Sequence, residues 1–354
     1  MKIGLIGLSL TGKTTVFNLL TGRTEETTGY SVKAETHLAR IDVPDPRVDA
    51  LSRLFEPKKT TFAEIEFADL VGLDVGGGMG LGSKALEELR NLDALVHVIR
   101  LFDDDAVPQD GSSSGPVGVL EAMEQELILT DLLLVEKRLE KLDKDILKGR
   151  KELVPERDLM LKLQAALEKE QPLRNVEFRT DEETLLRTYQ LISRIPMIIL
   201  ANGDEAKDMP EDLEALCRAN DLAAIAMNAR TEWEITQLDA EEREEFLADL
   251  GVTEPARDRF IQICYSLLDL ISFFTVGQDE VRAWTIHRDL PAVRAAGKIH
   301  SDLERGFIRA ETIAYEKFME HGSLAEARKQ GSLRLEGKEY PVKDGDILNI
   351  RFNV

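Results

Sequence analysis

The stretch Gly7-Leu8-Ser9-Leu10-Thr11-Gly12-Lys13-Thr14 follows the pattern G-x-x-x-x-G-K-[ST]. The apolar run Ile3 to Ile6 ahead of it reads as a β-strand, and Thr14 to Leu20 behind it reads as a helix. In that helix Val16, Phe17, Leu19 and Leu20 face inward, and Gly22 is the stop. Strand, loop and helix in this order are the context that a phosphate-binding loop requires. Its glycines let backbone N–H groups turn toward phosphate oxygens, and the helix N-terminus adds a positive partial charge. Lys13 then bridges the outer phosphates and the Thr14 hydroxyl ligates Mg²⁺.

Further strand-like runs occur at Thr61–Phe67, Ala94–Ile99, Met197–Ala201 and Ala223–Ala226, with helical segments between several of them. Strands alternating with helices predict a doubly wound α/β sheet. Asp69-Leu70-Val71-Gly72 follows the first of these runs. An Asp at the carboxyl end of a strand facing the loop holds Mg²⁺ through water, and Gly72 offers its N–H to a γ-phosphate. Leu73 stands where small GTPases commonly carry a water-orienting Gln, and five glycines between Gly76 and Gly82 suit a switch. Asn202-Gly203-Asp204-Glu205 follows the run Met197–Ala201. A guanine-reading loop has N-K-x-D at this place, and its Asp takes two hydrogen bonds from the ring. Here there is neither that Asp nor the Lys, a loss of about 1–3 kcal/mol of discrimination that makes adenine acceptable. Asn and Asp as plain turn formers remain the alternative. Phe102, just past Ala94–Ile99, is placed either to stack on a base or to fill the core.

Residues 119 to 170 break the α/β rhythm. Leu132, Val135, Leu139, Leu142 and Ile146 are spaced 3-4-3-4, a coiled-coil seam, and Pro155 opens a second helix faced by Leu159, Leu163, Ala166 and Leu167. The pattern predicts an antiparallel helical hairpin inserted into the α/β domain, with two ordinary surface helices as the alternative. Pro108 to Pro116 has the composition of a flexible linker. Val281 to Ile286, and alternating strands around Asp344-Gly345, predict a small C-terminal α+β domain.

Charge separates the same regions. The chain has 354 residues, 45 Lys+Arg against 66 Asp+Glu and a net charge of −21. From Ser272 to Val354 the charges balance, so the first 271 residues carry the whole excess. A hydrophobic share of 43% excludes an acidic disordered chain, and such acidity disfavours bulk nucleic-acid binding. No apolar run approaches the length of a membrane span, and Met1 to Gly7 reads as a strand, not a leader. Cys217 and Cys264 are the only cysteines, which excludes a disulfide framework and fits a reducing cytoplasm. His37, His97, His287, His300 and His321 form no motif.

Together these residues resemble the YchF-type Obg-like ATPases, a branch of the translation-factor-related P-loop GTPases. The match is densest at the C-terminal end: Phe274-Thr275-Val276-Gly277, Glu280 to Thr285, Ala295 to Asp302, Gly306 to Glu311, Gly337-Lys338, Asp344-Gly345-Asp346 and Arg351-Phe352-Asn353-Val354. Val43-Pro44-Asp45-Pro46-Arg47 and Ala201-Asn202 also fit. The resemblance implies a P-loop, G-like nucleotide-binding domain of residues 1–117 and 190–271, an inserted coiled-coil hairpin of 118–189 and a TGS-like β-grasp domain of 272–354. It implies Mg²⁺, ATP preferred over GTP and slow hydrolysis without a catalytic Gln. The partner it implies is the ribosome or its RNA, reached through the C-terminal domain or the hairpin, in the cytoplasm, with no membrane or DNA partner. In the family the phosphate loop, here Leu10, Thr11, Gly12, Lys13, Thr14 and Thr15, wraps the phosphates, an aromatic at Phe102 stacks on adenine, and Asn202 with Gly203 reads the ring. Lys13, Thr14, Asp69 and Gly72 form the catalytic set, with Thr14 and Asp69 on the metal.

This chain departs from the family at several places. The family loop reads P-N-V-G-K-S-T, and Leu10 here replaces its Asn. Counted back without gaps from Pro44-Asp45-Pro46, the switch Thr of Y-P-F-x-T falls on Lys33, so that sensor is missing or displaced to Thr36, Thr27 or Thr28. Gly203 replaces a bulky apolar neighbour of Asn202, and Gln109 takes the place of a His common after Phe102. A slow ribosome-associated ATPase switch is therefore the expectation, and a hydrolysis-poor nucleotide-binding adaptor of the same family is the alternative.

Overall fold

The computed structural model describes residues 1–22, 37–70, 82–103, 115–204, 209–239, 242 and 255–353. They form two compact units: residues 1–39 with 66–257, and residues 40–65 with 258–354.

The first unit is built on the strands β1 (Lys2–Ile6), β2 (His37–Asp42), β4 (Glu64–Asp69), β5 (Ala94–Arg100), β6 (Met197–Asn202) and β7 (Ala223–Met227), in the order β2-β4-β1-β5-β6-β7. β1 runs parallel to β4 and β5, β5 to β6, and β6 to β7. β5 and β6 are buried on both faces, which explains their unbroken apolar sequence. The α/β reading therefore holds, and the parallel pairing puts the carboxyl ends of β1, β4, β5 and β6 along one edge.

A helix over Gly115–Leu147 and a second over Val154–Leu167 form the hairpin. Val135, Leu139 and Leu142 of the first are buried with Leu159, Met160, Leu163 and Leu167 of the second, so the heptad spacing marks a packed seam. Pro155 sits in the first turn of the returning helix. The N-terminal half of the long helix packs instead on the sheet through Leu120, Met123 and Leu127. Between these halves lies Asp131, 1% exposed. Its carboxylate accepts hydrogen bonds from the Ile192 N–H (3.0 Å), the Ser193 N–H (2.8 Å) and the Ser193 hydroxyl (2.6 Å), a few residues before β6. An ion pair of Arg174 with Glu124 adds a second tie.

The second unit is also a six-stranded sheet. Besides β3 (Lys59–Thr61), it contains β8 (Leu270–Thr275), β9 (Glu280–His287), β10 (Phe307–Ala314), β11 (Arg334–Glu336) and β12 (Asp346–Phe352), in the order β11-β10-β12-β8-β9-β3. Ala292, Ala295 and Ala296 of the helix Ala292–Ile299 pack against Phe273, Ile286 and Leu348. The single strand expected over Thr61–Phe67 is in fact two. β3 ends at Thr61 and pairs with β9, whereas β4 begins at Glu64 in the other sheet. Phe62 and Ala63 are both apolar, and no turn-forming residue stands between Thr61 and Glu64 to mark the change of sheet.

Residues 40–65 are fixed within this unit by one arginine. Pro46–Phe55 is a helix capped by Asp45, whose carboxylate accepts the Arg47 N–H. The Arg47 guanidinium bonds Asp45 (2.8 Å) and Asp344 (2.7 Å) and lies 5.0 Å over the Phe274 ring. Burial disfavours its charge, but the hydrogen bonds it donates to Asp45 and Asp344 outweigh that and raise its pKa. Asp344 also accepts the Ser272 N–H at 3.0 Å. Arg47→Ala is expected to lower the unfolding free energy by about 2 kcal/mol, with Arg47→Lys costing less, as read by urea denaturation. An unchanged midpoint for Arg47→Ala contradicts this role.

Candidate nucleotide-binding site

The loop after β1 has the backbone that a phosphate cradle needs. Gly7, Leu10 and Gly12 have φ of 142°, 63° and 89°. A Cβ on Gly7 would lie 2.5 Å from the Val98 carbonyl oxygen, and one on Gly12 would lie 2.3 Å from Asn202 Nδ2. Both positions therefore demand glycine for space as well as for conformation. Leu10 is different. It holds a left-handed conformation that Asn tolerates and Leu does not, at a cost of about 1–2 kcal/mol, and its side chain is 41% exposed. Thr11 is buried, and its hydroxyl donates to the Leu8 carbonyl at 3.1 Å.

Gly12 caps the helix Lys13–Thr21. From its first turn Lys13 folds back, and Nζ donates to the carbonyls of Gly7 (3.0 Å) and Leu8 (2.6 Å). The Thr14 hydroxyl donates to Asp69 Oδ2 at 2.9 Å, and half-buried Thr15 follows it on the same turn. Leu5 pairs with Asp69 across β1 and β4, which is why the two strand ends meet. Burial raises the Asp69 pKa, opposed by the Thr14 hydrogen bond and the charges of Lys13 and His37. An ion that resembles Mg²⁺ takes one or two protein oxygens and completes its shell with phosphate and water. Thr14 Oγ1 and the Asp69 carboxylate are hard oxygen donors side by side, so the residues present fit it.

Arg100 of β5 pairs with Asn202 of β6, which brings the ends of these two strands together. Phe102 is half-buried, and its Cε1 lies 3.8 Å from where a Gly12 Cβ would stand. The Arg100 guanidinium lies 4.5 Å over its ring and also donates to its carbonyl. Asn202 is buried, donates from Nδ2 to the Thr11 carbonyl (3.1 Å) and accepts the Ala229 N–H (3.1 Å). Its amide thus braces the phosphate loop against the helix Ala229–Thr236. The Gly203 N–H is taken by the Met227 carbonyl at 3.0 Å. Asp204 is held by Asn228 Nδ2 at 2.7 Å and by the Asp103 N–H at 3.3 Å. Gly72, Leu73, Lys33, Thr27, Thr28, Thr36, Gln109 and Glu205 lie outside the described residues.

Sequence reasoning passed over two contributors. Arg100 carries no motif weight of its own. His97 pairs with Ile6 immediately before the loop, is fully buried, and among the described residues neither ring nitrogen has a hydrogen-bond partner. Burial and then the charge of Lys13 push its pKa down to about 3, so the ring is neutral. A lone His inside an apolar strand was the only signal available.

The profile of the YchF-GTPase C-terminal family, described as a protein of unknown function, matches residues 270–353. The chain is 40% identical to the "Ribosome-binding ATPase YchF" of Bacillus subtilis (strain 168), with all of both chains covered. It is 36% identical to the protein of the same name from Escherichia coli O157:H7, covering all of this chain and 99% of that one. The solved Schizosaccharomyces pombe YchF GTPase superposes with a TM-score of 0.85 at 28% identity, covering 99% of this chain and 97% of that one. With a phosphate loop, a Thr14–Asp69 tie and an Asn202 brace at one sheet edge, and with full-length relatives at such identity, the chain belongs to the YchF family.

Proposed function

We propose that this chain binds Mg²⁺ and ATP at the loop Leu10 to Thr15, hydrolyses ATP slowly, and acts as a nucleotide switch on the ribosome in the cytoplasm. The names of the relatives support the ribosome and ATP. The observation that carries the reading is the convergence of Lys13, the Thr14–Asp69 pair, Phe102 and Asn202 at the carboxyl edge of one sheet. Lys13 exchanges the Gly7 and Leu8 carbonyls for phosphate oxygens. Thr14 and Asp69 hold Mg²⁺, which when bound neutralises charge on the outer phosphates. The Gly72 N–H is assigned to the γ-phosphate. This set supplies positioning and charge without a general base, so hydrolysis is slow. Phe102 stacks on the adenine, and Gly203 leaves room beside it. Residues 1–117 with 190–271 form the nucleotide-binding domain, except that 40–65 and 258–271 pack in the unit of the C-terminal residues; 118–189 form the hairpin and 272–354 the TGS-like domain.

ATP is expected to bind more tightly than GTP by about tenfold, or about 1.4 kcal/mol. Asn202 is committed to the loop and to Ala229, and no N-K-x-D carboxylate reads guanine. Calorimetry giving GTP the tighter constant overturns the adenine reading. Single-turnover hydrolysis with and without ribosomes separates the switch from a hydrolysis-poor adaptor.

The C-terminal unit is proposed to carry the RNA contact. Lys298 and Arg309 are exposed and make no ion pair among the described residues, whereas Arg305 pairs with Asp302. The triple variant Lys298→Ala, Arg305→Ala, Arg309→Ala should therefore reduce the salt dependence of ribosome cosedimentation by about two phosphate contacts, not three. An unchanged slope moves the contact to the hairpin or the sheet domain.

A further inference from the structure

β12 is only half covered on one side. It pairs with β10 from Phe352 to Asp346. On its other side it meets β8 at Ile347 opposite Phe274, and β8 stops at Thr275. Strand residues turn their N–H and C=O groups alternately to the two edges. The stretch Leu348–Phe352 therefore presents backbone donors and acceptors toward a side where no described strand lies.

A cavity of about 410 Å³ opens along this edge, lined by Val276, Ile299, Leu303, Leu324, Leu333 and Ile350 among others. Its two walls differ in chemistry. Leu348 and Ile350 belong to one apolar cluster with Ile299 and Leu303. Glu311 lies on the opposite wall and is almost fully buried, with its side chain 6% exposed. It accepts hydrogen bonds from Arg328 (2.9 Å), Asn349 (2.8 Å) and Arg351. Arg328 lines the cavity with Glu311, and Arg351 shares the same carboxylate from just outside the lining. Two guanidiniums on one carboxylate leave a net positive charge beside this wall. The arginine side chains are 62% and 52% exposed, which leaves N–H groups facing solvent.

A small molecule would fill the walls and leave the strand edge bare. A nucleic acid would set phosphates against Ile299 and Leu303. An extended peptide satisfies all three features, because its side chains alternate between faces while its backbone pairs with the edge. We propose that the cleft beside β12 binds an extended segment of another protein by strand addition. Its apolar residues enter toward Ile299 and Leu303, and the acidic residues alternating with them meet Arg328 and Arg351.

The test is selection of a phage-displayed random decapeptide library on the full-length protein, followed by anisotropy titration of the enriched sequence as a labelled synthetic peptide. Sequences alternating acidic and apolar residues are expected. N-methylation of alternate backbone nitrogens, which alters the peptide and not the protein, should weaken binding by about tenfold or more. Exchanging its acids for Lys should do the same. Val276→Lys, with an unchanged melting curve, should abolish binding. The proposal is overturned if no such pattern is enriched, if the N-methylated peptide binds equally well, or if oligouridylate displaces the peptide. It is also overturned if sedimentation shows the edge occupied by a second copy of this chain, with a self-association that Val276→Lys removes.

Discussion

Lys13→Ala should abolish measurable triphosphate binding while the protein stays folded. Nζ donates to the carbonyls of Gly7 and Leu8. Both belong to a loop at the sheet edge, so water can replace the ammonium and the stability change should stay within about 0.5–1 kcal/mol. Binding is another matter. Phosphate oxygens exchanged for those carbonyls make charge-assisted hydrogen bonds worth about 1.5–3 kcal/mol each, so two lost contacts weaken binding by about a hundredfold to ten-thousandfold. Equilibrium titration with labelled ATP, beside a thermal melt, reads both quantities. Wild-type affinity in the variant would remove Lys13 from the site. A collapsed melt would make its loop bonds structural instead.

The second large effect is on stability. Asp131→Ala should cost about 3–5 kcal/mol, because it strands two buried backbone N–H groups and one buried hydroxyl. Those donors belong to Ile192 and Ser193, both fully buried. Asp131→Asn retains an acceptor and should cost less. Urea denaturation of the two variants gives the order, and equal midpoints for wild type and Asp131→Ala would refute the tie. The same variant should also loosen nucleotide binding, since β6 begins just beyond this tie and ends at Asn202, the brace of the phosphate loop.

The phosphate loop was legible in the sequence because all its requirements are local: two glycines, Lys13 and Thr14 within one turn of chain. Asp69 was legible because a parallel strand beside β1 must end near the same edge. The hairpin was legible because its seam is periodic. What stayed hidden depends on long-range partners. Asn202 has the look of a base reader, but its amide is spent on Thr11, far away in sequence. The left-handed backbone at Leu10 shows why the loss of Asn there matters, which a motif cannot express. The run Thr61–Phe67 holds no turn-forming residue to mark where one sheet gives way to the other. Residues 40–65 give no sign in composition that they are built into the C-terminal unit.

That last arrangement bears on how such a protein is taken apart. The chain passes between its two units at residues 39–40, 65–66 and 257–258. A fragment cut at Ser272 would leave behind β3, the helix Pro46–Phe55 and Arg47, baring the edge of β9 and leaving Asp344 without its guanidinium. The three positions that β3 covers, Glu280, Val281 and Arg282, would then offer unpaired backbone groups to another chain. The C-terminal region is therefore no cassette to be spliced onto another protein at a single joint. Whatever grafting or shuffling it undergoes must carry a splint from near the front of the gene, and a lineage that lost one piece would have to lose both.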